Sequence, residues 1–350
     1  MKIIHSLKLV MSKAETWRFH FLHKREANEI LCQIEKEKGK LSVQLRKRAS
    51  EYALDVFGTE RYAPWLYVYT AFAGTFKEGW IPDNYYREIV VPKTQGAYGK
   101  LSFNNMLTNS FFKTEQFPDS AYFINGQWLS KDLRIVPFSQ IKEILFQNHA
   151  EVVFKLDQSF QGKGIYLFNK ATFEEKVIRR LGNGVFQYRV QQHGFFDDFG
   201  SSALATFRLT TVIDPLGNPS LRSAYLKLGR QGETHIHANA AVSVPIKISS
   251  GKLADEGHLT NGTTTLCHPD TKTNFKGKII PNFGEAVQLC KDLHLKAPYI
   301  RIIGWDVAID YLGKVQLLEW NGYHNDIKYS EATQGPCFAD LGWEQLWKDN

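Results

Sequence analysis

Asp306, Glu319 and Asn321 are hard oxygen donors carried by two β-type runs, residues 302–309 and 315–320, which are separated by Asp310, Tyr311, Leu312, Gly313 and Lys314. Gly313 inside that short connection predicts a hairpin. With a two-residue loop, Leu312-Gly313, Tyr311 faces Lys314, and the same register sets Asp306 directly across from Glu319. Alternation then places Asn321 on the face of Glu319, whereas an odd-length loop would turn Asp306 the other way. Opposed carboxylates repel, and a divalent cation between them removes the conflict. Two carboxylates and an amide, with room for phosphate oxygens and water, describe a magnesium site that serves a nucleotide. The competing reading is an exposed hairpin with ordinary polar decoration. Val307, Ile309 and Leu318, expected on the opposite face, imply that this face is buried.

A second candidate lies upstream. Residues 152–156, Val-Val-Phe-Lys-Leu, form an apolar strand carrying Lys155, followed by a loop through Gln161, Gly162, Lys163 and Gly164 and then another apolar run, residues 165–168. A buried ammonium needs an anionic partner, and a phosphate supplies one. The glycines let backbone N–H groups approach an anion closely. The loop is neither GxxxxGK[ST] nor GxGxxG, and a plain hairpin with a solvated lysine has the same local pattern. His235 and His237 share one side of a strand, but no third zinc ligand is near in sequence. Cys267 beside His268 suggests a thiol nucleophile only weakly.

These residues need elements to hold them. Residues 1–60 are rich in Lys, Glu, Arg, Leu and Ala, with no Pro and a Gly at 39, which predicts helices joined by a turn near Gly39. The cluster Lys36, Lys38, Lys40, Arg46, Lys47 and Arg48 reads as a solvated helix face, with a membrane or acidic-partner dock as the alternative. The aromatic segment 62–69 is expected to pack against the protein, since no basic-aromatic RNA signature accompanies it. From about residue 95, short β-type runs at 152–156, 165–168, 186–190, 205–212, 222–227 and 240–248 alternate with helical stretches at 171–181 and 283–295. This is an α+β pattern with much antiparallel pairing. The chain's 350 residues suffice for two or three subdomains, and its charge of +7 suits nucleic acid, an anionic membrane or a phosphorylated substrate equally. Four scattered cysteines and an N-terminal apolar stretch broken by Lys8, Lys13 and Arg18 predict a reducing, cytoplasmic location.

Taken together, Gly304-Trp305-Asp306-Val307-Ala308 and Leu317-Leu318-Glu319-Trp320-Asn321 resemble the metal-binding signature of the sugar-transfer-associated ATP-grasp family. Val153-Phe154-Lys155, Gly162-Lys163-Gly164, Gln192-His193, residues 205–208 and His268-Pro269-Asp270 support the likeness, which runs from about Lys100 onward. The resemblance implies an ATP-grasp fold, two α+β subdomains gripping ATP, over residues 96–350 (96–190 lysine and flap, 191–350 metal and acceptor), after a helical region over 1–95. It implies that Lys155 and Lys100 contact phosphates beneath a flap of Gln161, Gly162, Lys163 and Gly164. Backbone groups of Gln187, Tyr188 and Val190 would meet adenine, with His193 in the nucleotide pocket, and Arg208 would steady the transferred phosphoryl group. Lys100 lacks the acidic residue that usually precedes this lysine, Leu156 stands where a proline is common, and residues 238–241 lack an expected glycine-rich stretch.

The implied activity is an ATP- and magnesium-dependent carboxylate-amine ligase working through an acyl phosphate. A surface-polysaccharide sugar acid and an amino acid are the substrates that the family association suggests, with no nucleic acid and with peripheral attachment to a membrane biosynthetic complex. A kinase acting on a hydroxyl, or a nucleotide-binding module without catalysis, are the alternatives.

Overall fold

The computed structural model describes residues 2–157, 164–200, 203–233, 241–323 and 325–348, with the backbone alone for residues 2–13. The chain divides into two units: Met1–Thr94 with Asn261–Thr263 and Asp326–Asn350, and Gln95–Thr260 with Thr264–Asn325.

The first unit is helical. Helix α1 (Lys2–Lys38) stops at Gly39, whose φ of 86° suits glycine and whose N–H donates to Glu35 O. Ser42 then caps α2 (Val43–Phe57) by accepting from Leu45 N–H, and Gly58 at φ 73° ends it. Pro64 sits in the first turn of α3 (Ala63–Ala73). Ala27, Leu31 and Ile34 of α1, Ala49 and Ala53 of α2, and Trp65, Leu66 and Tyr69 of α3 form the core with Trp80. The segment 62–69 therefore packs inward, as its composition predicts. The C-terminal residues complete the unit: buried Glu331 accepts from the N–H groups of Ile81 and Cys337, and Trp80 Nε1 donates to its carbonyl. No helix among the described residues is long and apolar enough to cross a membrane.

The second unit holds two antiparallel sheets. The smaller contains β1 (Asp119–Ile124), β2 (Gln127–Ser130), β3 (Glu151–Leu156), β4 (Ile165–Asn169) and β5 (Gly184–Tyr188), in the order β2-β1-β5-β3-β4. Helices α4 (Phe138–Phe146) and α5 (Glu175–Leu181) contribute Ile141, Leu145 and Ile178 to its core. Helix α5 begins four residues later than its composition suggests, because Asn169 Oδ1 accepts from the N–H groups of Ala171 and Thr172 and holds a turn there.

The larger sheet runs β10-β9-β8-β7-β6-β11-β12, comprising β6 (Thr206–Ile213), β7 (Pro219–Leu228), β8 (Val242–Pro245), β9 (Gly257–Leu259), β10 (Thr264–Thr265), β11 (Ile302–Ile309) and β12 (Val315–Asn321). Helix α6 (Phe283–His294) lays Ala286, Cys290 and Leu293 into the same core as Phe207, Leu209, Trp305 and Val307. Residues 96–112 are not β-rich. They wind through helical turns that bring Phe112 against Trp305 and Trp320, at ring separations of 5.3 and 4.9 Å. Packing of aromatics overrides local pattern there.

Candidate active site

Strands β11 and β12 set Asp306 opposite Glu319, although not by a two-residue loop. Near the turn the pairs are Ile309–Val315, Ala308–Gln316 and Val307–Leu317, and Asp310 N–H donates to Lys314 O. Continued unbroken, that register would pair Asp306 with Leu318. A β-bulge at Leu318 advances β12 by one residue, so Asp306 pairs with Glu319, Trp305 with Trp320 and Gly304 with Asn321. Leu317, rather than the expected Leu318, lies in the core.

The bulge also leaves the Leu318 carbonyl outside the ladder. Lys155 Nζ donates to it at 3.3 Å and Gln187 Nε2 at 3.4 Å. Lys155 stands in β3 between Ile165 and Val185, and Gln187 in neighbouring β5. Gln187 also donates to buried Asp119 Oδ1 at 2.8 Å. Burial holds the Lys155 ammonium below its usual range, partly offset by Glu319, Asp119 and Asp306. Lysine strand and carboxylate hairpin thus meet at one backbone oxygen.

Beside them, Arg208 of β6 grips Asp306 from the adjoining strand. Its Nε and Nη2 donate to the two carboxylate oxygens at 2.7 and 2.8 Å, and Nη1 donates to Asn325 Oδ1 at 3.1 Å. Lys227 Nζ donates to Asp306 Oδ1 at 3.4 Å. Gly304 makes room for this group, since a Cβ there would run into Asn325 Oδ1 and come within 3.0 Å of Arg208 Nη1. Burial alone would raise the Asp306 carboxyl, but Arg208 and Lys227 outweigh it and hold it well below the usual carboxylate range. Glu319 keeps its side chain accessible, yet the protein packed around its carboxylate and the charge of Asp306 push it up. Asn321 Nδ2 donates to Glu319 Oε1 at 3.1 Å.

Two protein cations therefore already answer the charge of Asp306, so repulsion between the carboxylates does not by itself require a metal. The donor set nonetheless fits magnesium. Arg208 occupies one bidentate edge of Asp306, whereas a carboxylate offers about four lone-pair positions. Accessible Glu319 and the amide oxygen of Asn321 add hard donors. Among the described residues there is no group of three or more His, Cys, Asp or Glu able to hold a metal. Phosphate oxygens or water must complete any coordination shell.

Other expected residues are placed differently. Lys100 is exposed in the helical turn Gly96–Phe103, with Nζ 5.2 Å from the Tyr323 ring, and no described bond joins it to Lys155 or the carboxylates. Tyr188 uses its N–H on Pro118 O at 3.0 Å, pairs its hydroxyl with Gln316 Oε1 at 3.2 Å and stacks on His149 at 4.8 Å. Val190 is buried. His193 donates its N–H to Ile309 O, and its ring accepts from Phe195 N–H, capping the turn Gly194–Phe199. Gly164, at φ 76°, closes the start of β4 by accepting from Leu156 N–H. Gln161, Gly162 and Lys163, like His235 and His237, lie outside the described residues. His268 is buried with Nε2 3.0 Å from Gly229 O, and Asp270 takes a bidentate pair from Arg230 at 2.8 and 2.6 Å.

Sequence reasoning passed over Lys227, Asp119 and Asn325. Lys227 was within reach, because Tyr225 faces Arg208 across β6 and β7, and alternation puts Lys227 on Tyr225's side. No local pattern marks Asp119 or Asn325.

Residues 177–337 match the family described as sugar-transfer associated ATP-grasp. Over that stretch the chain is similar to the ATP-grasp family. The matched stretch, somewhat under half of the chain, includes Gln187, Arg208, Asp306, Glu319 and Asn321 of the candidate site but stops short of Lys155 upstream. Solved structures are similar at low identity. An ADP complex of N5-carboxyaminoimidazole ribonucleotide synthetase is 10% identical, with 80% of this chain and 62% of that one covered at a TM-score of 0.45. Biotin carboxylase from Campylobacter jejuni is 11% identical, with 71% and 46% covered at 0.41. D-alanyl-alanine synthetase A from Vibrio cholerae is 10% identical, with 73% and 67% covered at 0.41. The chain thus spans less than two thirds of the first two. No curated protein matches it.

Proposed function

We propose that this chain is an ATP- and magnesium-dependent ligase that activates a carboxylate as an acyl phosphate and passes it to an amine. The observation that carries this reading is the meeting of Lys155 with the Asp306–Glu319 pair at the Leu318 carbonyl. A phosphate-binding cation and metal-binding carboxylates must lie that close for phosphoryl transfer. In this reading residues 96–190 form the lysine and flap subdomain and 191–325 the metal and acceptor subdomain, while 1–95, with the C-terminal segment 326–350 that packs in the helical unit, lie outside the catalytic body.

Lys155 exchanges the Leu318 carbonyl for phosphate oxygens, which restores an anionic partner to a buried ammonium. Asp306, Glu319 and Asn321 hold magnesium, which supplies neutralisation of charge on the transferred phosphoryl group. Arg208, fixed by Asp306 and Asn325, keeps its guanidinium aimed at that charge. The acceptor carboxylate attacks the γ-phosphorus and ADP leaves; an amine then attacks the acyl carbon and phosphate leaves with the bond pair. A cytoplasmic sugar acid destined for a surface polysaccharide is the acceptor we favour, resting on the sugar-transfer association of the matched family.

Phosphate and ADP release, followed across uronic acids and amino acids in pairs, tests the reading. Equal release of both products with amide formation is expected. ADP without free phosphate would instead identify a kinase, and no turnover with any pair despite ATP binding would overturn catalysis.

A further inference from the structure

Helix α1 carries two apolar stripes on different sides. Ala27, Leu31 and Ile34 face the helical core and are 0%, 4% and 2% exposed. Trp17 and Phe21 point elsewhere: they stack on each other at 5.3 Å, yet are 68% and 51% exposed, and Leu22 beside them is 41% exposed. Apolar residues continue their spacing towards the helix start, at Ile3, Leu7, Val10 and Ala14. Steps of four and three residues keep positions 3, 7, 10, 14, 17 and 21 on one side of a helix. Between residues 2 and 25 the helix carries Lys2, Lys8, Lys13, Arg18, Lys24 and Arg25 against a single acidic residue, Glu15. Arg18 and Lys24, on the described part, are exposed.

Among the described residues, Trp17 and Phe21 remain exposed while stacked on each other, and soluble surfaces seldom leave Trp and Phe together in water. The choice of partner follows from charge. A second copy of α1 would bring its own excess of lysine and arginine alongside, and like charges at the seam oppose pairing. An anionic lipid surface meets both properties: tryptophan and phenylalanine settle at the boundary of headgroups and acyl chains, and long basic side chains reach the headgroups.

We propose that the N-terminal half of α1, through Trp17, Phe21 and the stripe that precedes them, docks this protein on an anionic membrane surface, lying in its plane without crossing it. Docking is independent of the ligase reading, since it uses none of the site residues.

The test is co-sedimentation of the full chain with vesicles of phosphatidylcholine, with and without about one third phosphatidylglycerol. The protein should pellet with the anionic vesicles only, and less so as salt rises. Trp17→Glu with Phe21→Glu should weaken binding at least about tenfold, since two aromatic side chains no longer leave water. Arg18→Glu with Lys24→Glu should also weaken it. Leu216→Glu, removing an exposed leucine in the turn after β6, should leave it unchanged. Circular dichroism of each variant confirms that the fold is kept. Absence of pelleting, or pelleting indifferent to Trp17 and Phe21, overturns the proposal. So does self-association of wild type in ultracentrifugation that the double variant abolishes without vesicle binding, which would make the stripe a contact between copies.

Discussion

Lys155 is held in a position that costs the fold something while it has only a carbonyl to bond. Replacing it with methionine keeps the length of the side chain, fills the same apolar strand and removes an ammonium that burial disfavours. We expect Lys155→Met to leave stability unchanged or raise it by about 1 kcal/mol in denaturant titration, while nucleotide affinity by calorimetry falls about tenfold or more. A fall in both would mean that Lys155 is structural. Arg208 behaves oppositely. Its removal strands Asp306, so Arg208→Met should cost about 3–5 kcal/mol of stability as well as activity, and a variant that melts like wild type would refute the grip. Gly304→Ala is milder chemically but pushes a methyl into Asn325, and about 1–3 kcal/mol of destabilisation is expected.

At the scale of elements, α6 is tied to the sheet through a buried polar chain. His294 lies 2.7 Å from Thr211 Oγ1 and 2.6 Å from Ile300 O, and Trp305 Nε1 donates to Thr211 at 2.8 Å. Burial pulls the His294 imidazole down from 6.5 to about 4. The unfolded chain therefore binds the extra proton between these values, so the contribution is complete above pH 6.5 and is lost as pH falls towards 4. Stability followed by denaturant titration over that window should rise with pH, and His294→Gln should flatten the rise. Residue patterns reached most of this level. Hairpin runs 302–309 and 315–320 are visible as β-type runs around a Gly-containing turn, and helix 283–295 as a helical stretch. The bulge is not, because nothing in Leu317-Leu318-Glu319 announces an extra residue, and the hairpin β1–β2 escaped for want of a marked alternation. The juxtaposition of Asp306 and Glu319 was legible although the loop proposed to create it was not the one present.

In the whole molecule, distance in sequence hides what the fold joins. Asp119 and Asn325 reach the site from a strand start and a loop remote in sequence, so only the folded chain brings them there. The C-terminal segment likewise returns to the helical unit, where Glu331 takes the N–H groups of Ile81 and Cys337. A chain ending after Asn325 leaves Ile81 N–H without that acceptor and uncovers Trp80, so its helical unit should lose cooperative melting by circular dichroism. Retention of the wild-type helical transition would contradict this. The net charge of +7 should also speed encounter with a polyanionic nucleotide, and stopped-flow association should slow as ionic strength rises.

The Leu318 bulge has a consequence for how this hairpin tolerates length changes. Between the Asp310–Lys314 bond and the two carboxylates, β11 spends three residues, 307–309, and β12 four, 315–318. Its arms are unequal, and the surplus residue is the one that bulges. Loss of Leu318 would equalise them, leaving Asp306 still opposite Glu319 but removing the oxygen on which Lys155 rests. Loss of Ala308 would widen the mismatch to two and swing Asp306 away from its partner. Single-residue deletions should therefore be survivable in one arm and ruinous in the other, an asymmetry that a deletion scan would record directly.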